Sequence, residues 1–107
     1  MVERISAEEL HAPHLIDLEV ASALRRLTAA GRIDDLGGRT PLAVLADIDL
    51  HRHSHRALLG SIWALRNNLS SYDAACVALA TALDAPLVTT DAKLAAASGL
   101  TCAVELI

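Results

Sequence analysis

Apolar positions recur at helical spacing in three stretches of the chain, with short apolar runs between them. From His14 to Ala30, the residues Ile16, Val20, Ala23 and Leu27 fall at i, i+4, i+7 and i+11, one stripe of a helix. Gly31 stops that helix, and Arg25, Arg26 and Arg32 gather at its C-terminal end, where the helix dipole favours cations. Residues 32–36 read as a short helical turn broken by Gly37 and Gly38, and Pro41 opens another short helix through about Ala46. A further helix is expected from Arg56 to Arg66, with Leu58, Ile62 and Leu65 on one face and Asn67 and Asn68 ending it. Leu59 and Trp63 on that helix are expected in the core or on a dimer surface, with most of the helix facing the core. Ser70 opens the strongest helix, which runs to about Leu83 with Tyr72, Cys76, Leu79 and Leu83 as its apolar stripe.

The runs between these helices read as strands. LHAP enters a turn as a short strand, and DIDLHRHSH is compatible with an edge strand. Pro86 begins a buried strand, LVTT, and CAVELI forms a last one. Residues 2–10 read as the end of a helix or a connector, and Asp91 caps a short Ala-rich helix ending at Gly99. Helices alternating with short β-branched runs indicate an α/β fold, a small parallel sheet flanked by helices. The 107 residues are enough for one domain, 1–107, and not for two.

Composition narrows the chemistry. Hydrophobic residues make up 53% of the chain and aromatics 2%, so the core is built from Ala, Leu, Val and Ile. A net charge of −4 argues against a protein held to nucleic acid by bulk positive charge, because non-specific binding is mostly phosphate neutralisation. It leaves room for a nuclease, whose site must itself be acidic. Cys76 and Cys102 match no metal motif and read as small buried hydrophobes in a reducing compartment. The opening MVERISAEEL has no long apolar run, and no stretch approaches the roughly 20 apolar residues of a membrane span. A cytoplasmic location is the default expectation.

Three acids stand in separate apolar settings: Glu19 in LIDLEVASAL, Asp73 in LSSYDAACVALA and Asp91 in PLVTTDAKLA. Scattered carboxylates of this kind suggest a shared pocket for a hard cation, which prefers oxygen ligands. Each acid also has a plainer role. Glu19 borders the helical stripe and could pair with an arginine, while Asp17, about 200° round the helix, faces solvent or a loop. Ser70 and Asp73 have the spacing of a capping box, and Asp91 that of an N-cap. The C-terminal end of a parallel strand is nevertheless where α/β ligand sites form, which favours Asp91. Alternation puts Thr89 on the side of Asp91, where it suits contact with metal-bound water. His51, His53 and His55 point the same way along a strand but lack a Cys or acidic partner at ligand spacing. A solvated face is the plain expectation for them, with contact to RNA phosphates or an acidic partner as the functional one.

In LIDLEVASALRRL and ALRNNLSSYDAACVALATALDAPLVTTDAKLAAA, the chain resembles the PIN-domain ribonucleases, specifically the VapC-type toxins of bacterial toxin–antitoxin pairs. The resemblance covers most of residues 9–107. It implies an endoribonuclease dependent on Mg2+ or Mn2+, with Glu19, Asp73 and Asp91 at the family's acidic positions and Thr89 supporting. It also implies an RNA substrate, a cognate antitoxin protein as partner, and a homodimer. Arg56, Arg66 and Asn67 are candidates for RNA or antitoxin contact. The family opens with a strand that carries its first catalytic Asp, and here no Asp precedes Asp17. A strand with its crossover helix, roughly 30 residues, is therefore expected to be absent. That loss favours weak metal binding and poor turnover. The alternative is a catalytically impaired PIN-like fragment that only binds an antitoxin or dimerises. An unrelated small α/β domain with three coincidental caps is a third reading.

Overall fold

Six residues separate the first two strands, and that spacing fixes how the sheet is assembled. In the computed structural model, which describes residues 2–3 and 9–107, the strands are β1 (Val2–Glu3), β2 (Leu10–Pro13), β3 (Leu50–His53), β4 (Leu87–Thr89) and β5 (Val104–Leu106). The helices are α1 (Ile16–Ala29), α2 (Asp35–Asp47), α3 (Leu59–Ala64), α4 (Ser71–Leu83) and α5 (Ala92–Ala95). The residues group in two compact units, one formed by 1–14 with 50–107 and the other by 15–49.

The first unit holds the sheet, in the order β3-β2-β1-β4-β5. β2 and β3 are parallel, Leu10 opposite Leu50 and Pro13 opposite His53, and β4 and β5 are parallel, Leu87 opposite Val104. β1 is antiparallel to both β2 and β4. β2, β3, β4 and β5 therefore run one way and end together at one end of the sheet. The expectation of a parallel sheet holds for these four and needs correction at β1. Parallel neighbours need a crossover of about a dozen residues or more, so a strand this close to β2 can only enter antiparallel. Residues 2–3, expected at a helix end or in a connector, are thus strand; residues 4–8 of that segment lie outside the described residues.

α4 is the centre of this unit. Every residue from Ala74 to Ala80 is buried, so the helix is enclosed on all sides, beyond its single expected stripe. Its small side chains, Ala, Val and Cys, let it lie close to the sheet. The core cluster joins Ala74, Cys76, Val77 and Ala80 to Leu87 of β4, Leu94 of α5 and Leu65. Cys76 is fully buried as expected, whereas Cys102 is only half-buried and precedes β5 instead of lying in it. The helix expected over Arg56–Arg66 is split into a 3-10 turn, Arg56–Leu58, and the six-residue α3. It presents Ile62 and Leu65 to the core and leaves Leu59 (55% exposed) and Trp63 (67%) outside, which corrects the core reading of these two and leaves the dimer-surface one untested. The Arg66 guanidinium covers the Trp63 ring at 4.5 Å, sheltering part of that surface.

The second unit is a helical hairpin. Gly31 ends α1 with φ +72, a conformation that favours glycine. Ile16 is buried, Val20 and Ala23 are half-buried, and Leu27 is exposed, so the α1 stripe fades toward its C-terminus. Gly37 and Gly38, expected to break the chain, lie inside a 13-residue α2 that also contains Pro41. The reason is the cap: Asp34 folds back to accept the Gly37 amide at 2.7 Å. A Cβ at Gly37 would stand 3.1 Å from the Asp34 carboxylate and 3.2 Å from the Ile33 side chain, so glycine admits the cap where a larger residue crowds it. Arg39 and Asp35 pair one turn apart at 2.6 Å. Among the described residues, no helix is long and apolar enough to cross a membrane.

The core assignment has a measurable consequence. Leu87 is fully buried in the cluster, and Leu87→Ala is expected to lower unfolding free energy in urea by about 2–5 kcal/mol. Leu59→Ala, at a position 55% exposed, is expected to change it by less than about 0.5 kcal/mol.

Candidate functional site

Asp91 follows β4 by one residue and caps α5. Its Oδ1 accepts from the amides of Lys93 at 2.9 Å and Leu94 at 3.3 Å. Both cap bonds use one oxygen, which leaves Oδ2 outside the cap on an exposed side chain. Thr89, only 3% exposed, holds the turn from below, its Oγ1 accepting from the Asp91 amide at 3.0 Å. Thr89 is therefore engaged in shaping the strand-to-helix turn, with its own hydroxyl proton still to donate.

Asp73 stands three residues after the N-cap of α4. Ser70 Oγ accepts its amide at 3.2 Å, which is the first half of a capping box, and its side chain is half-buried. The chain descends α4 and returns along β4, so the start of the helix and the end of the strand share one end of the sheet. Two observations support this arrangement. Leu94 of α5 belongs to the same cluster as Ala74 of α4. Gly99, beyond α5, sits so close to Asn68, before α4, that a Cβ there would meet Asn68 Nδ2 at 2.8 Å. Asp73 and Asp91 are thus two acids at the end of the sheet where β2, β3, β4 and β5 terminate, each anchored by a helix start.

The third expected acid belongs to the helical hairpin. Glu19 lies in the first turn of α1 and is exposed, whereas Asp17, expected to face solvent or a loop, is half-buried and engaged. Among the described residues, no group of three or more His, Cys, Asp or Glu side chains is assembled to hold a metal ion. A hard cation of the magnesium type is commonly held by one or two carboxylates, with waters and substrate phosphates completing the shell.

The PIN-domain family model matches residues 1–100. The chain belongs to the PIN-domain family. It is 46% identical over 98 residues to "Ribonuclease VapC1" of Mycobacterium tuberculosis, a match covering 91% of this chain and 74% of that one. It is 42% identical over 103 residues to "Ribonuclease VapC9" of the same organism, covering 96% and 81%, and 30% identical over 107 residues to "Ribonuclease VapC12", covering 100% and 83%. No solved structure matches the chain at comparable significance.

Within this PIN domain the expected contact residues have mixed surroundings. Arg56 and Asn67 are exposed. Arg66 is exposed as well but tied down locally, over the Trp63 ring and donating to the Trp63 carbonyl at 3.0 Å. Of the three histidines expected on a solvated face, His51 and His55 are exposed and His53 departs from it. His53 is half-buried, and its Nε2 lies 2.8 Å from Nδ1 of the buried His11 on β2. His51 stacks on His11 with ring centroids 4.8 Å apart. His11 went unnoticed in LHAP because the register that pairs β2 with β3 is non-local. Aligning LHAP with LHRH as parallel neighbours was the signal available.

Two outcomes are expected. Asp91→Ala removes the α5 cap and should cost about 1 kcal/mol in urea unfolding, whereas Asp91→Asn keeps most of the cap. Burial, then the nearby His11, His51 and His14, hold the pKa of His53 below the ordinary 6.5. The unfolded chain then binds more protons than the folded one, so this contribution to stability is complete above about pH 6.5 and lost as pH falls through the lowered value. Urea midpoints measured against pH should decline across that window, and decline less in His53→Asn.

Proposed function

We propose that this PIN domain is a divalent-metal-dependent endoribonuclease, the toxin of a toxin–antitoxin pair, with Mg2+ or Mn2+ as cofactor and RNA as substrate. The observation that carries the reading is the placement of Asp73 and Asp91 at the same end of the sheet, in a family whose relatives are named ribonucleases. Glu19 is assigned as a further acid on its motif LIDLEVASAL. The partners of the reading are a cognate antitoxin protein and a second copy of the chain. A single domain over 1–107 acting in the cytoplasm completes it.

The chemistry divides between the cation and the chain. A bound divalent ion lowers the pKa of water and offsets phosphate charge during in-line displacement. The chain's own work is orientation. Asp91 keeps Oδ1 on the Lys93 and Leu94 amides, so Oδ2 is presented in a fixed direction. Asp73 is set by the first turn of α4, and Thr89 fixes the Asp91 backbone. Exposed Arg56 and Asn67 are suited to phosphate and base contact, Arg56 as the charge and Asn67 as the neutral donor.

A second reading has its own support. Because no group of three candidate ligands is assembled among the described residues, a domain that binds an antitoxin or itself without turning over RNA is the alternative. Cleavage of a mixed RNA pool in Mn2+, against chelator and against Asp91→Asn, separates the two. The nuclease reading expects metal-dependent cutting that falls on the order of a hundredfold or more in Asp91→Asn, with the variant's circular dichroism and unfolding close to the parent's. A folded parent that leaves every RNA intact in Mn2+ overturns it in favour of the binding module.

A further inference from the structure

The histidines of β2 and β3 form a cluster that the nuclease reading does not use. Parallel pairing sets His11 opposite His51 and Pro13 opposite His53, so His11, His51 and His53 share one face of the sheet. His11 is 7% exposed, and its Nδ1 lies 2.8 Å from His53 Nε2. One of these nitrogens donates and the other accepts, so the pair shares a single proton. The rings of His11 and His53 are tilted by 36° with centroids 5.0 Å apart, and His51 stacks on the other contact of His11 at 20° and 4.8 Å. The remaining nitrogen of His11, Nε2, is buried with no hydrogen-bond partner among the described residues, and the Glu9 carboxylate stands 4.0 Å from it.

We propose that His11 and His53 form the preset half of a binding site for an imidazole-preferring divalent cation of the Zn2+, Ni2+ or Cu2+ class, completed by His51. Three features of the cluster carry this. Two ring nitrogens from different strands already converge on one point. Nitrogens held about 2.0–2.1 Å from one tetrahedral cation stand about 3.3 Å apart, so this pair needs to open by only about half an ångström. A carboxylate facing the outer nitrogen of a ligating histidine is the usual means of fixing its tautomer, and Glu9 is the residue in that position on His11. Its approach favours the proton on Nε2 and leaves the Nδ1 lone pair toward His53. His53 then exchanges its Nε2 proton for one on its other nitrogen, and both donors meet the cation as neutral imidazoles.

The third ligand is not in place. His51 is exposed and stacked, and it must turn about its side-chain bonds to bring a nitrogen round. That accounts for the absence of a preassembled three-ligand group among the described residues. The ligand type separates this site from the carboxylates: neutral imidazole suits zinc, nickel and copper, and oxygen suits magnesium and manganese. When occupied, the site clips the edge strand β3 to β2.

The test is calorimetric titration of the untagged chain with Zn2+ at neutral pH, in excess Mg2+ so that oxygen sites are already filled. One Zn2+ per chain is expected. His53→Asn should weaken binding on the order of tenfold or more, and so should His51→Ala, whose exposed position makes it safe for folding. His55→Ala, an exposed histidine outside the cluster, should bind as the parent does. Circular dichroism confirms that each variant is folded. A folded parent that takes up no Zn2+ in excess Mg2+ overturns the proposal, and so does uptake undiminished in both His53→Asn and His51→Ala. Neither result bears on RNA cleavage, which is read separately in Mn2+.

Discussion

A helix enclosed on every side can present polar groups only at its ends, and this constraint organises the sheet-bearing unit. From Ala74 to Ala80, α4 offers no exposed side chain. Its polar residues are accordingly terminal: Ser70 and Asp73 at the start, Thr81 and Asp84 at the finish. The finish is a tight reversal. Asp84 adopts φ 51, and the Ala85 amide returns to the Ala80 carbonyl at 3.0 Å, so the chain enters β4 at once. With small residues along its length, α4 lies close over β4. The first turn of the helix is carried to the end of the sheet where β4 terminates.

The sheet supplies the other half of the arrangement. β2, β3, β4 and β5 point the same way, so their following residues collect at one end. Strand ends in a parallel sheet are where backbone direction changes and helix starts gather, and helix starts favour negative charge. Asp73 and Asp91 occupy two such starts. β1 contributes differently. It joins β2 to β4 through a two-residue antiparallel contact, a direction imposed by its short connection to β2. The two parallel pairs are thereby bridged by very few hydrogen bonds, and the packing of α4 against β1, β2 and β4 carries much of the cohesion between them.

Legibility in the sequence followed the range of the interaction. α4, β4 and the Asp91 cap were readable because their signals are local: a Ser three residues before an Asp, an apolar run after Pro86, an Asp between strand and helix. The PIN-type fold class was readable for the same reason, through motifs in order. α2 was misread because Gly37 and Gly38 are breakers by propensity, and only the Asp34 side chain folding over them explains a continuous helix. The apolarity of Trp63 suits the core or a dimer surface equally, and the core is closed to it because α3 is only six residues long and its inward face is taken by Ile62 and Leu65. The histidine cluster was the least legible feature. His11 and His53 are 42 residues apart, and their contact depends on a strand register that no local pattern encodes.

The acids that the family resemblance marks as ligands are also the residues that start helices, and the two roles reinforce each other. A free aspartate must lose rotamer freedom to bind a cation, a cost that reduces affinity. In Asp91 that ordering is already accomplished by folding, because two backbone amides fix Oδ1 while Oδ2 stays outward. Thr89 extends the same logic one step back, holding the amide of Asp91 in the geometry that permits the cap. Asp73 gains its orientation from a helix turn whose next residue, Ala74, is fully buried. Preorganisation of this kind places a side chain on a rigid element with its supporting contacts complete before any ligand arrives. It also explains why a capping reading and a catalytic reading of Asp91 are compatible: the cap consumes one oxygen and the backbone's orphan amides, and leaves the other oxygen outside the cap.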